Sequence, residues 1–399
     1  MECVVLAAGE GKRMRPLTAR RPKVMLPVAN RPMMEHLVLA ARDAGITGFV
    51  FVVGYGEREV RSHFGNGERF GIHISYAPQR QQMGTADALL SAKNLVSGPF
   101  LAMNGDMILN TGDISRILAS PAPCMATSIT DHPGDFGVVM VSDNKVTALE
   151  EKSLHPKSNI INAGAYLFDP GFFDLLSQVK LSSRGELELT DALAVLIREG
   201  KLCALALEQW MDLGYPWDLL DANAHILQEL GSKNDGTVEE GVHLSGPVSI
   251  GNGTVIKSGT YIEGPCIIGE NCKIGPHAYI RGATSIGDEC HIGHSTELKN
   301  TIVFPGTKIP HFNYVGDSVI GSGCNFGAGT KIANLRHDHA SIKVAGKDTR
   351  HTKFGAVIGD NVKFGINCSV NVGTMIGSNA KFAPGSVVEG LIGDNSVVR

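Results

Sequence analysis

From Val238 to Leu298 an aliphatic residue returns at every sixth position: Val238, Leu244, Ile250, Ile256, Ile262, Ile268, Ile274, Ile280, Ile286, Ile292 and Leu298. Eleven residues in one strict register are not chance. The period is neither the 3.6 of a helix nor the 2 of a single strand. It is the hexapeptide repeat of a parallel β-helix, in which short strands stack coil on coil. The register breaks after Leu298, returns at Ile320, Phe326 and Ile332, and returns again at Ile358, Phe364, Val370, Ile376, Phe382 and Val388. Cys266, Cys272, Cys290, Cys324 and Cys368 sit two positions before a repeat residue, where the other occupants are nearly all small (Thr254, Thr260, Ala278, Thr284). Offset two in a strand means the same face, so these cysteines are expected to be small core fillers rather than ligands or nucleophiles.

Up to about residue 227 the pattern is different. Apolar runs at Val4–Ala8, 47–53, 72–76 and 99–104 alternate with helical stretches such as 33–44. That alternation predicts an α/β domain with a mostly parallel, doubly wound sheet, which binds ligands at the C-terminal ends of its strands. A helical pattern near 217–230 and the polar run Gly231–Gly236 place the boundary, giving domains at 1–230 and 237–399. The strand Val4–Ala8 runs into Gly9-Glu10-Gly11-Lys12-Arg13, and Lys23 follows ten residues later. Glycines that admit backbone N–H groups, with cations alongside, suit a triphosphate; a plain strand-to-helix turn is the alternative. Asp106, after an apolar strand and a glycine, suits Mg2+, with a helix N-cap as the alternative. Asp212, in Trp210-Met211-Asp212, reads by itself as a turn residue.

The 399 residues carry a net charge of −4, which argues against nucleic acid or a membrane surface as the main partner. No apolar run approaches the ~20 residues of a membrane span. The eight cysteines form no CxxC pair, so a cytoplasmic protein with reduced thiols is expected.

Leu6-Ala7-Ala8-Gly9, Arg13-Met14 and Pro22-Lys23 fill every position of the signature of the sugar-phosphate nucleotidylyltransferases, L-A-A-G-x-G-x-R-M followed by Pro-Lys-x-x-x-Pro. The likeness covers roughly residues 2–227 and looks closest to the bifunctional bacterial enzymes that make UDP-N-acetylglucosamine and their archaeal relatives. It implies that Leu6, Ala7, Ala8 and Gly9 touch the nucleotide, that Arg13 and Lys23 hold phosphates, and that Gln79, Gly84 and Thr85 take the base. It also implies that Asp106 and Asp212 hold Mg2+, and that Gly137, Glu151 (or its neighbour Glu150) and Asn162 touch the sugar. The bacterial enzyme carries asparagine where Asp212 stands; aspartate there resembles the thymidylyltransferase branch, so both UTP and dTTP remain open.

The segment Lys308-Ile-Pro-His311-Phe-Asn-Tyr314-Val-Gly-Asp317, where the repeat falters, resembles the catalytic segment of glucosamine-1-phosphate acetyltransferases. By that resemblance the β-helix is left-handed, His311 is the general base and Tyr314 a sugar contact. Arg281, Lys299 and Lys353 bind the sugar phosphate, Asn325 and Asn334 touch sugar or acyl group, and Ala328 touches acetyl-CoA. The implied protein is a homotrimer with two activities. It acetylates glucosamine 1-phosphate and couples N-acetylglucosamine 1-phosphate to UTP. Rivals are a single-activity nucleotidylyltransferase whose β-helix only assembles subunits, and a regulatory subunit that merely binds nucleotide. Two departures stand out. The run 336–352, RHDHASIKVAGKDTRHT, is longer and more basic than its bacterial counterpart and is expected to clamp coenzyme A phosphates or reshape the sugar site. Ile366 replaces a serine.

Overall fold

The computed structural model describes residues 1–182 and 185–399. They form two compact units: Met1–Glu10, Arg21–Met25 and Met33–Asp212 in the first, and Gly11–Arg20, Leu26–Pro32 and Leu213–Arg399 in the second.

In the first unit, strands β1 (Glu2–Ala7), β2 (Gly48–Val53), β3 (His73–Pro78) and β4 (Phe100–Asn104) lie parallel in the order β3-β2-β1-β4. Beyond β4 the sheet turns mixed. It continues through β8 (Ile160–Phe168), β5 (Cys124–Ile129), β9 (Cys203–Ala206), β7 (Lys145–Glu151) and β6 (Gly137–Ser142), with β8 antiparallel to both its neighbours β4 and β5. The apolar run of β1 serves two cores. Cys3, Val5 and Ala7 pack with Phe49, Phe51, Leu101 and Met103, whereas Val4 packs with Val50, Val52, Phe100 and Ala102. Helix α1 (Met33–Asp43) covers the first face with Met34, Leu37, Val38 and Ala41, and α2 (Leu189–Arg198) covers the second with Leu189, Ala192, Leu193 and Leu196. Helices on both faces of a sheet are the doubly wound arrangement that the alternation predicts.

The second unit is a left-handed parallel β-helix of three sheets. Val248–Ile250 pairs with Cys266–Ile268, which pairs with Thr284–Ile286, so partners are 18 residues apart. The run 231–236 is not purely a linker: Lys233–Asn234 already pairs with Ser249–Ile250 as a first rung. The repeat aliphatics fill one continuous core, from Ile250 and Ile256 through Ile376 to Val388. The glycine after them is needed because coils stack closely; a Cβ on Gly251 would come 2.5 Å from the Gly269 carbonyl oxygen. Helix α3 (Asp218–Gln228) docks on the coils through buried Asn223, whose Oδ1 accepts from the Ala29 N–H and the Ser285 hydroxyl while Nδ2 donates to the Ala283 carbonyl.

The cysteines two before the repeat positions are buried, and burial pushes the thiols of Cys266, Cys290 and Cys324 up to about 12. They do more than fill space. Cys272 Sγ donates to the Gly287 carbonyl at 3.1 Å and Thr254 Oγ1 donates to the Gly269 carbonyl at 2.6 Å, so this offset supplies a weak or strong donor to a buried carbonyl of the next coil.

The register after Leu298 does not lapse; it shortens. Leu298 pairs with Val315 and Val303 with Ile320, both 17 apart, and buried Val303, Ile309 and Val315 carry the repeat across the gap. The missing residues are lost at two corners, where Asn300 and Asp317 take left-handed backbone (φ 47° each). The second interruption is a true insertion, because Ile320 pairs with Ile358, 38 residues on. Within it Lys343–Val344 and Lys347–Asp348 form a two-stranded hairpin, seated by buried Ile342 and Val344.

Candidate active sites

The parallel sheet brings its strand ends to one edge. Leu6 pairs with Asn104 and Ala7 with Val53, which pairs with Pro78, so Leu6–Gly9, Gln79 and Gly105-Asp106 all leave the sheet there. The Gly105 N–H donates to the Leu6 carbonyl at 2.9 Å, and the Ala8 carbonyl accepts from Tyr55 N–H and Gln82 Nε2. Gly9 is exposed, and a Cβ on it would meet nothing within 4 Å. Its freedom is therefore not used by the fold. Lys23 is buried, with Nζ 2.5 Å from Asp106 Oδ2. The Asp106 side chain stays 30% exposed. Met107–Leu109 pairs antiparallel with Trp210–Asp212, and Asp212 lies opposite Met107, beside Asp106. Two carboxylates so placed could hold Mg2+, which takes its remaining ligands from phosphate and water. Among the described residues no cluster of three or more His, Cys, Asp or Glu offers a cage of its own.

Gly84 and Thr85 open a short helix, Thr85–Leu90, and their loop is pinned to 187–189: Ala86 N–H donates to the Leu187 carbonyl and Leu189 N–H to Thr85 Oγ1. Gly84 holds φ +113° against the Leu187 backbone, where a Cβ would collide. Gln79 is 8% exposed and its Nε2 donates to the Gly84 carbonyl and to Asp87 Oδ2 (2.8 Å). Its amide nitrogen therefore shapes the loop, leaving Oε1 for a base. Gly137, Glu151 and Asn162 also meet. Glu151 pairs with Gly137, and a Cβ on Gly137 would touch Glu151 Oε2 at 2.9 Å and Asn162 Cβ at 3.7 Å. Glu150 pairs with Val138 and lies on the opposite face, which favours Glu151. Arg13 sits with the second unit, in the tight turn of 11–20, and its guanidinium carbon lies 5.2 Å from the centre of the Tyr215 ring.

In the β-helix, stacking assembles the second set. Arg281 pairs with Lys299, and Lys299 with Gly316 one coil further. Arg281 Nε donates to Glu297 at 2.9 Å, a bond that raises the guanidinium above its ordinary value. Lys299 Nζ donates to both oxygens of Asp317 (3.1 and 2.8 Å), and Asp317 also accepts from Asn300 Nδ2 and from Asn334 Nδ2. Tyr314 opens the same strand; burial first, then the charges of Glu297 and Asp317, push its phenol up. Gly316 leaves room beneath it, since a Cβ would lie 2.6 Å from both Tyr314 Oη and Asn334 Nδ2 and push those side chains aside. Lys353 bridges back to Leu335, beside Asn334.

His311 and Ala328 lie at another corner, and Asn325 stacks on Lys308 at the far end of the same side. His311 is exposed and stacks on His294, and its carbonyl accepts the Gly329 N–H at 3.0 Å, so Ala328-Gly329 sits one coil on. Phe312 follows with φ 51°, an uncommon conformation for a bulky residue, and is 57% exposed. Asn325 is exposed and bridges Lys308 and Lys363. Sequence reasoning missed Glu297 and Asp317. Asp317 follows Gly316, the partner of Lys299, at the corner where the coil shortens by one residue, so a constant 18-residue period does not single it out.

The nucleotidyl transferase family matches residues 2–229, and the C-terminal domain family named GMPPB_C matches residues 262–376. The protein named bifunctional protein GlmU of Methanocaldococcus jannaschii is 40% identical over all of this chain and 97% of its own length. The bifunctional sugar-1-phosphate nucleotidylyltransferase/acetyltransferase of Sulfurisphaera tokodaii is 38% identical over 98% of each chain. Among solved structures, a protein of Bacillus anthracis described as a glucose-1-phosphate thymidylyltransferase, in complex with a sucrose, superposes with a TM-score of 0.54 at 28% identity, covering 59% of this chain and 98% of its own. With nucleotide-edge residues in one unit, a stacked cation frame in the other and full-length relatives of this kind, the chain belongs to the family of bifunctional GlmU-type nucleotidylyltransferase/acetyltransferases.

Proposed function

We propose that the β-helix transfers an acetyl group from acetyl-CoA to glucosamine 1-phosphate, and that the first unit couples N-acetylglucosamine 1-phosphate to UTP, releasing pyrophosphate. The observation that carries the acetyl half is the Arg281–Lys299 frame. Burying a Lys299–Asp317 pair costs desolvation, and a helix serving only assembly has no use for it. Set beside Tyr314, Asn334 and Lys353, it suits a sugar phosphate. His311 takes a proton from the glucosamine amine, whose nitrogen attacks the thioester carbonyl; backbone N–H groups stabilise the oxyanion and the CoA thiolate leaves. His311 and Ala328 lie one side of a coil away from that frame, roughly 10–15 Å at strand spacing, and Asn325 lies further round the coil. A homotrimer would set a neighbour's corner against each frame, and the exposed Tyr261, Phe312, Ile366 and Val387 suit such packing.

In the first unit, the sugar 1-phosphate attacks the α-phosphorus in line. Mg2+ held by Asp106 and Asp212 would neutralise phosphate charge. Arg13 steadies the leaving pyrophosphate, and Lys23, held by Asp106 at 2.5 Å, is already placed to exchange its carboxylate for phosphate. Gln79 Oε1 and the Gly84-Thr85 loop receive uracil, while Gly137, Glu151 and Asn162 receive the sugar. The second carboxylate at Asp212 favours dTTP as the alternative nucleotide. A cytoplasmic setting accords with the absence, among the described residues, of a helix able to cross a membrane.

The test is thiol release from acetyl-CoA with glucosamine 1-phosphate. The wild type is expected to release thiol, and His311→Ala to lose at least about a hundredfold while keeping nucleotidyl transfer. No release from the wild type, with galactosamine 1-phosphate also inert, would leave only the nucleotidyl activity.

A further inference from the structure

We propose that the insertion hairpin of the β-helix is a positioning element for nucleotidyl transfer: its Lys347 shares the Tyr215 ring with Arg13 and so sets where the Arg13 guanidinium rests. The inference rests on the proposed phosphate role of Arg13.

The seat is built from several elements of the second unit. Arg13 lies 5.2 Å from the Tyr215 ring centre and Lys347 Nζ lies 5.3 Å from the same centre. Two cations on one ring compete for its negative face and repel each other. Tyr215 is itself fixed, because Trp217 stacks on it at 4.7 Å with the planes within 4° of parallel. Trp217 in turn meets Phe354 edge-on at 6.2 Å, and Phe354 is fully buried immediately after the insertion. The hairpin is equally fixed. Ile342 and Val344 are buried, a Cβ on Gly373 would strike the Lys343 carbonyl, and His351 Nε2 reaches Asp221 on α3 at 3.3 Å. The Arg13 loop is rigid as well, with the Met14 N–H and Thr18 hydroxyl both donating to the Gly11 carbonyl. Between these pieces stand the two cationic side chains. The like charge of Lys347 keeps the guanidinium from settling fully on the ring and leaves it ready for phosphate.

Tyr215 and Lys347 are thus positioning residues, and the test is a double-mutant cycle on the full-length protein. Pyrophosphate release with UTP and N-acetylglucosamine 1-phosphate is followed in Tyr215→Leu, Tyr215→Phe, Lys347→Met and Arg13→Lys, alone and combined. Tyr215→Leu should lower kcat about tenfold with little change in the KM of the sugar phosphate, and Tyr215→Phe, which keeps the ring, should restore it. Lys347→Met should lower kcat about two- to fivefold, and that effect should vanish in the Arg13→Lys background. Acetyl transfer should be unchanged throughout. An undiminished Lys347→Met effect in the Arg13→Lys background would mean an independent phosphate contact and overturn the inference. A silent Tyr215→Leu, or a parallel loss of acetyl transfer, would overturn it too. Wild-type nucleotidyl transfer in Arg13→Lys would instead remove the role of Arg13, and the inference with it.

Discussion

Each unit contains one lysine–aspartate pair at its candidate site, and the two are built for different work. Lys23 and Asp106 meet at 2.5 Å at the open edge of a sheet, and the carboxylate remains 30% exposed. Lys299 and Asp317 meet at 2.8 Å inside a coil corner, the carboxylate is 5% exposed, and two asparagine amides fill its other lone-pair directions. An exposed carboxylate can trade a lysine for a metal or release it to a phosphate. A carboxylate already serving Lys299, Asn300 and Asn334 cannot trade anything. It holds the frame on which Arg281, Lys299 and Asn334 present themselves. The same two residue types thus give a pair open to exchange in one unit and a closed pair in the other, and accessibility makes the difference.

Substituting both aspartates tests that difference most severely. Asp106→Asn should cut nucleotidyl transfer by about a hundredfold or more, since it weakens both the metal carboxylate and the lysine partner, yet leave the denaturant midpoint nearly unmoved. Asp317→Asn should do the reverse in kind. It strands a lysine that is only 18% exposed and should cost about 3 kcal/mol in chemical denaturation, with acetyl transfer failing together with the fold. Equal stability losses in the two variants would break the comparison.

The two units were also unequally legible in the sequence. The β-helix announced itself through Val238–Leu298 because each coil contacts mainly its neighbours, so the spatial period is written along the chain. Where reading failed, at Val303, Ile309 and Val315, the cause was one residue removed from each of two corners, which shifts register without disturbing the stack. The basic run 336–352 gave no such signal. Its charges suggested a clamp for coenzyme A phosphates or a reshaped sugar site and said nothing of its local structure; Ile342 and Val344, two apolar residues among them, seat it as a hairpin. In the first unit the strands were readable, and so was the place of Asp106 just past one of them, but the packing of Gln79 was not. Its Nε2 is spent on Gly84 and Asp87, a fact of packing that no spacing records.

Glycine sharpens the contrast further. Gly251 is a packing glycine: alanine there would drive a Cβ to 2.5 Å from the Gly269 carbonyl oxygen, and should cost about 1–3 kcal/mol. Gly9 has nothing within 4 Å of a Cβ, and its proposed use is to admit a ligand. Gly9→Ala should therefore leave the melting temperature unchanged or slightly higher, while the KM for the nucleoside triphosphate rises about tenfold or more. Calorimetry and steady-state kinetics on the pair would separate the two uses of one residue type. A destabilised Gly9→Ala would show that the loop is packed and not open.

The smallest expected effect concerns the contact that ties the insertion to α3. The hydrogen bond that His351 Nε2 donates to Asp221 raises the imidazole above its ordinary value, opposed by burial and helped by the charges of Asp221, Asp218 and Asp317. A group raised in the folded state contributes stability that is fully present below its unfolded value, near 6.5, and is lost as pH rises through the folded value. His351→Gln should therefore lower the melting temperature by a degree or so at about pH 6, and by progressively less toward about pH 8. A Tm difference that grows with pH would mean that His351 is neutral when it meets Asp221. The insertion would then be seated by Ile342, Val344 and the backbone bonds of its hairpin, with no ionic tether to α3.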